Sequence, residues 1–128
     1  MSEPIVMISN LRILESKLEE YKKFTLEAIE WIKANRPRTV ALLEYTSEDG
    51  TGGSIVIVFP DAEAMEEHMK GLGEFPNKTR EFAEVFSIQI YGRPNEATLE
   101  TMNMIAGSGI TFDIKPQAVG GYLRLKSG

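Results

Sequence analysis

The stretch TVALLEYTSEDGTGGSIVIVF, residues 39–59, decides the fold. It holds two strand-forming runs, Thr39 to Thr46 and Ser54 to Phe59, joined by Glu48-Asp49-Gly50-Thr51-Gly52-Gly53. The loop glycines tolerate the positive φ angles of a hairpin, so the two runs are expected to pair antiparallel. A sheet of this kind with water on one side alternates apolar and polar residues. Here Val40 and Leu42 stand against Ala41, Leu43 and Tyr45, and Ile55 and Ile57 against Val56 and Val58. Both faces therefore read as buried.

Upstream, Ile5 to Ile13 has the apolar density of a largely buried strand. Ser16-Lys17-Leu18-Glu19 has the spacing of a capping box, in which hydroxyl and carboxylate satisfy free N–H groups at a helix start. Leu14, Leu18, Tyr21, Thr25, Ala28, Ile29 and Ile32 recur at three- and four-residue steps as one apolar stripe, and Asn35-Arg36-Pro37 supplies a stop. Downstream, Asp61 is placed to cap a second helix whose inward face is Met65, His68, Met69 and Leu72, with Gly71 and Gly73 fraying its end. A further helical turn after Phe75-Pro76-Asn77 carries Phe82 and Val85 inward. A fourth strand follows, in which Phe86, Ile88 and Ile90 alternate with Ser87, Gln89 and Tyr91, closed by Gly92-Arg93-Pro94. Residues 5–46 and 54–91 thus repeat strand–helix–strand. That order predicts an α+β fold of the ferredoxin-like, split βαβ plan, with both helices on one face of a four-stranded antiparallel sheet. Its other apolar face needs a cover, from a second copy or from the C-terminal segment.

The C-terminal residues predict an Asn95-capped helix to about Ala106, with Leu99, Met102, Ile105 and Ala106 inward, then a Gly107-Ser108-Gly109 break and a β-hairpin. Pairing Ile114 with Leu123 and Phe112 with Leu125 sets Asp113 opposite Arg124. An isolated hairpin is marginal, so it must dock on its own sheet edge or clasp a partner, and clasping a homodimer is the favoured expectation. Residues 1–94 are read as the ferredoxin-like unit and 95–128 as its extension within the same domain.

Composition limits the chemistry. With 14 basic and 19 acidic residues in 128, the net charge of -5 disfavours nucleic acid and anionic membrane as partners. No apolar run approaches the ~20 residues of a membrane span, and Met1-Ser2-Glu3 lacks a secretory pattern, so a cytoplasmic location is expected. There is no cysteine and one histidine, which excludes thiol chemistry and metal sites needing two imidazoles. No metal or cofactor is expected. Gly50-Thr51-Gly52-Gly53 and Gly107-Ser108-Gly109 lack the Lys-Ser/Thr and the strand-to-helix placement of phosphate loops, and read as turns.

The run Phe59-Pro60-Asp61-Ala62-Glu63-Ala64-Met65-Glu66-Glu67-His68-Met69 resembles the strand-to-helix motif of the antibiotic biosynthesis monooxygenase-like family. In that family an aromatic residue, usually Trp, ends strand three, and nine residues on a His lies in Ala-Leu-x-x-His-Leu. Phe59, Ala64-Met65-Glu66-Glu67 and His68-Met69 match that spacing, and the resemblance covers residues 5 to about 91. It implies the dimeric α+β barrel, a homodimer formed through the sheet face. Members include cofactor-free oxygenases of polycyclic aromatics, quinol oxygenases, haem-degrading enzymes and proteins with no demonstrated activity.

The expected function is therefore a cofactor-independent monooxygenase-like protein acting on a small aromatic or quinol molecule in an apolar crevice between helices and sheet. The alternatives are a noncatalytic homodimeric ligand-binding or stress-associated domain and a haem-degrading monooxygenase with His68 as axial ligand. On the apolar face between Met65 and Leu72, His68 is held neutral by desolvation and suits a base or hydrogen-bonding role. Its plainer role is a core histidine bonded to a carbonyl or to Tyr45. Tyr45 and Tyr91 at strand ends, Asn10 on strand one and Phe59 complete the expected substrate-binding set. Phe24 and Trp31 form a second ridge on the first helix, read as widened core or as the lip of a cavity.

Overall fold

The spine of the sheet is β1 (Ile5–Ile13), with β3 (Gly52–Phe59) and β4 (Ala83–Tyr91) antiparallel on either side. β2 (Ala41–Thr46) pairs antiparallel with β3, and β5 (Thr111–Lys115) pairs parallel with β4, giving the order β2-β3-β1-β4-β5. The structure, a computed structural model, describes residues 3–73, 75–106 and 109–124. The first four strands have the expected split βαβ order, and the fold is α+β with a mixed five-stranded sheet.

The described residues also form four helices: α1 (Leu18–Asn35), α2 (Ala62–Lys70), α3 (Phe75–Thr79) and α4 (Glu96–Ala106). Alternation sends Ile5, Met7, Leu11 and Ile13 of β1 to the helix side, where two apolar clusters form. Met65 and Met69 of α2 and Met102 of α4 pack on Ile57, Phe59, Ile88 and Ile90, while Tyr21 of α1 packs on Leu11, Ile13 and Ala83. Asp61 caps α2 as expected, accepting from the Ala64 N–H at 2.8 Å. Its carboxylate also pairs with Arg38, which fixes the start of the helix that carries His68. Asn95 likewise caps α4 through the Thr98 N–H at 3.0 Å. Among the described residues no helix is long and apolar enough to cross a membrane.

Two local expectations are corrected. Ser16 has φ 66°, a left-handed turn residue, so α1 begins after Lys17, which makes no side-chain cap, and the Ser16–Glu19 capping box does not form. The chain enters α1 through a turn held by Lys17 N–H to the Leu14 carbonyl and Leu14 N–H to the Phe82 carbonyl, and that turn claims Ser16. At the C-terminus only the first arm of the expected hairpin is a strand. Phe112 pairs with Ile88 and Ile114 with Ile90, while Tyr122, Leu123 and Arg124 carry no strand. The reason is connectivity: α4 supplies the crossover that lets β5 lie parallel on the free edge of β4, where Ile110 and Phe112 reach the core. Gly92 N–H bonds the Lys115 carbonyl at 2.9 Å and anchors that edge. The side chains of Ile105 and Ala106, together with Gly107, Ser108 and Leu125, lie outside the described residues.

Candidate functional site

The stripe on α1 narrows in its middle. Between the bulky Tyr21 and Ile32 its sheet-facing residues include Thr25 and Ala28, and opposite them β1 presents Ser9 between Met7 and Leu11. Small side chains on both walls leave a gap, a cavity of about 560 Å³ between α1, the sheet, the end of α2 and α3. This lies within the roughly 300–1,000 Å³ of small-molecule sites. Ile29, Leu42, Ile55, Ile57, Leu72 and Val85 make its wall largely apolar. Phe24 lines it and stacks against Phe75 and Phe82 at 6.1 and 5.6 Å. Trp31 packs on Phe75 at 5.3 Å and under the Arg36 guanidinium at 4.9 Å, outside the cavity lining. The second ridge of α1 thus meets α3.

His68 faces this cavity from α2. It is only 3% exposed, and among the described residues its Nδ1 has no hydrogen-bond partner, neither the carbonyl nor the Tyr45 hydroxyl expected of a core histidine. Burial first, and the nearby Arg36 charge second, push its pKa down to about 4, so the ring is neutral at pH 7. Arg36 reaches this position across Gly71, donating to the Gly71 carbonyl at 3.0 Å. A Cβ on Gly71 would collide with the guanidinium at 1.5 Å, so the glycine that ends α2 makes room for a charge that adds to the effect of burial on His68. Phe59, fully buried, sets its ring 5.4 Å from the imidazole and holds it in orientation without lining the cavity itself.

The other expected residues lie elsewhere. Asn10, Tyr45 and Tyr91 alternate out of phase with the core positions and sit on the opposite face of the sheet from His68. Asn10 is fully engaged there: its Nδ2 donates to Ser87 Oγ at 2.9 Å and Gln89 Oε1 at 3.0 Å, and its Oδ1 accepts from Ser54 Oγ at 2.8 Å. Tyr91 lies beneath the Lys115 ammonium at 5.7 Å, and Tyr45 is exposed at the edge of β2. The structure therefore joins Phe59 to His68 and separates the remaining three from them.

One polar pair in the cavity wall lies outside the expected set. Glu44 of β2 falls on the Leu42 side and accepts a hydrogen bond from the Tyr21 hydroxyl of α1. Burial raises its carboxyl pKa to about 7, the Tyr21 bond opposing that shift, and burial beside the carboxylate raises the phenol as well. The signal was present in the sequence: Val40, Leu42 and Glu44 share one period-two face, and a carboxylate in phase with apolar residues calls for an explanation. Among the described residues no cluster of three or more side chains could hold a metal ion.

No family model and no curated protein matches the chain. Solved structures do. MupZ from Pseudomonas fluorescens superposes with a TM-score of 0.71 at 20% identity, over 94% of this chain and 91% of that one. SnoaB, a cofactor-independent oxygenase from Streptomyces nogalater, gives 0.61 at 11% identity, over 73% of this chain and 96% of its own. Rv0793 from Mycobacterium tuberculosis gives 0.59 at 15% identity, over 74% and 99%. The MupZ match spans more than residues 1–94 could account for, so it takes in part of the C-terminal extension. At these identities it is the architecture that is shared: the chain has the ferredoxin-like α+β fold of the antibiotic biosynthesis monooxygenase-like proteins that its Phe59–Met69 motif resembles.

Proposed function

We propose that the protein is a monooxygenase-like enzyme that binds a small aromatic or quinol molecule in the helix–sheet cavity and needs no cofactor. The observation that carries this reading is an apolar cavity with a neutral, buried imidazole in its wall whose Nδ1 has no partner. A buried polar atom left unpaired costs about 1–3 kcal/mol, and a ligand that bonds it recovers that cost. The fold likeness to SnoaB, a cofactor-independent oxygenase, supports the same reading. In such chemistry the substrate carbanion or phenolate is itself the reductant of dioxygen. A ring CH₂ becomes C=O, one oxygen atom enters the product, and the other leaves as water with the two hydrogens. The task of the protein is to bind, to orient and to take the first proton. His68 orients the substrate by a hydrogen bond, and Phe59 holds the ring in place.

Two copies are proposed to pack open face to open face. Leu43 and Tyr45 are 47% and 58% exposed on that side, among half-buried Val6, Ile8, Val56 and Val58. At its centre Asn10 already bonds Ser54, Ser87 and Gln89, so covering this face strands no Asn10 amide. Tyr45 and Tyr91 then serve the contact between copies.

Oxygen uptake with 1,8-dihydroxyanthrone, which carries free hydroxyls as well as a ring CH₂, as the probe substrate tests the enzymatic reading. Wild-type protein is expected to consume dioxygen and His68→Gln to lose most of that rate, of order 10²-fold. No uptake by the wild type favours the noncatalytic binding domain, and an undiminished rate in His68→Gln removes the histidine from the mechanism.

A further inference from the structure

The Tyr21–Glu44 pair has no role in the reading above. It is too costly to be packing alone: a half-buried carboxyl among Leu42, Ile55 and Ile57 occupies a position where an aliphatic residue would do better. Three elements converge to keep it. Tyr21 comes from α1 and Glu44 from β2, and Gly53 of β3 leaves the space its hydroxyl needs, since a Cβ there would lie 3.1 Å from Tyr21 Oη. Tyr21 takes Glu44 Oε1, and Oε2 has no hydrogen-bond partner among the described residues. The carboxyl lines the same cavity as His68.

We propose that Glu44, oriented by Tyr21, is the catalytic base of this cavity and that the site selects neutral aromatic ligands carrying a free hydroxyl. The inference rests on the cavity being the substrate site. The ligand O–H bond breaks, its proton passes to Glu44 Oε2, and the electron pair stays on the ligand oxygen as a phenolate; no electron reaches the protein. A proton affinity near neutrality fits the carboxylate to this task better than His68, whose conjugate acid is about three units stronger. The other ionisable groups around the cavity are Tyr21, His68, Arg80 and the exposed Arg12–Glu84 pair at 3.9 Å. Tyr21 is the group in direct contact with the carboxyl.

The test is a fluorescence titration of the full chain with 2-naphthol and with its methyl ether, 2-methoxynaphthalene, at about pH 8 and about pH 5.5. Wild type is expected to prefer the naphthol about tenfold at the higher pH, as a bond to a charged acceptor gives, and to lose most of that preference at the lower. Glu44→Gln abolishes the pH dependence, His68→Gln keeps it, and Tyr21→Phe moves its midpoint upward by removing the bond that favours the carboxylate. Equal affinity for both compounds at both pH values, or a pH-dependent preference that survives in Glu44→Gln, overturns the assignment of Glu44 alone. Binding of neither compound overturns the cavity as the aromatic site, and the assignment falls with it.

Discussion

The two faces of the sheet are made from the same strands by simple alternation, and each is apolar with a polar group near its middle. What differs is whether that group is satisfied. On the open face Asn10 spends both donors and its carbonyl on three neighbours and is closed to anything further. On the helix face, among the described residues, His68 Nδ1 is buried without a partner and Glu44 Oε2 accepts no hydrogen bond, beside a cavity. A closed network suits a surface that must be covered without penalty, and unfinished hydrogen bonding suits a place where a ligand arrives.

The comparison breaks most readily at the open face. Val56→Asp puts a carboxylate in the middle of the proposed contact, twice per dimer by symmetry. Light scattering is expected to give twice 14.3 kDa for the wild type and single copies for the variant. A wild type that already runs as single copies at micromolar concentration removes the interface from the account.

A smaller effect separates adjacent residues of β3. Phe59 is fully buried on the helix side, so Phe59→Ala is expected to lower stability by about 3–5 kcal/mol. Val58→Ala, one position away on the open face, is expected to cost less than about 1.5 kcal/mol in the single-copy Val56→Asp background. Urea unfolding reads both, and equal losses would mean that the faces are not distinct.

The smallest effect lies in pH, where the two cavity groups oppose one another. The Glu44 carboxyl is raised from 4.5 to about 7, so the folded state holds the extra proton and stability from this group is lost as pH rises through that window. His68 is lowered from 6.5 to about 4, so its contribution is full above 6.5 and is lost as pH falls. Between about pH 4.5 and 6.5 the two slopes offset each other. Stability of Glu44→Gln should rise with pH across this window and that of His68→Gln should fall, each measured against the wild type by urea unfolding.

Much of the fold was legible because it follows from period and punctuation. The α1 stripe, the Asp61 and Asn95 caps and the double strand–helix–strand order all appear where the spacing puts them. The turn at Ser16 was not legible, since its left-handed φ is set by the contact of Leu14 with Phe82, far along the chain. The second hairpin arm misled because charge pairing of Asp113 with Arg124 is a weak local signal, while α4 between β4 and β5 already permitted a parallel edge strand. His68 and Phe59 could be joined because nine residues of strand, cap and helix fix their relation locally. Tyr45 and Tyr91 at strand ends and Asn10 on strand one have positions that suggest a cavity mouth, but strand alternation assigns them to the other face. Glu44 is the converse case: its face is readable from Val40 and Leu42, but the Tyr21 that holds it lies on another element, 23 residues away in sequence.

The division of labour between the faces has one direct measurement. Methyl-resolved NMR of the isotopically labelled chain, titrated with 2-naphthol, should shift and broaden the methyls of Ile32, Leu42, Ile57 and Leu72 around the cavity, and leave Val6, Ile8, Leu43 and Val56 in place. Perturbation centred on the second group, with the first unmoved, would put the ligand on the open face and contradict the account.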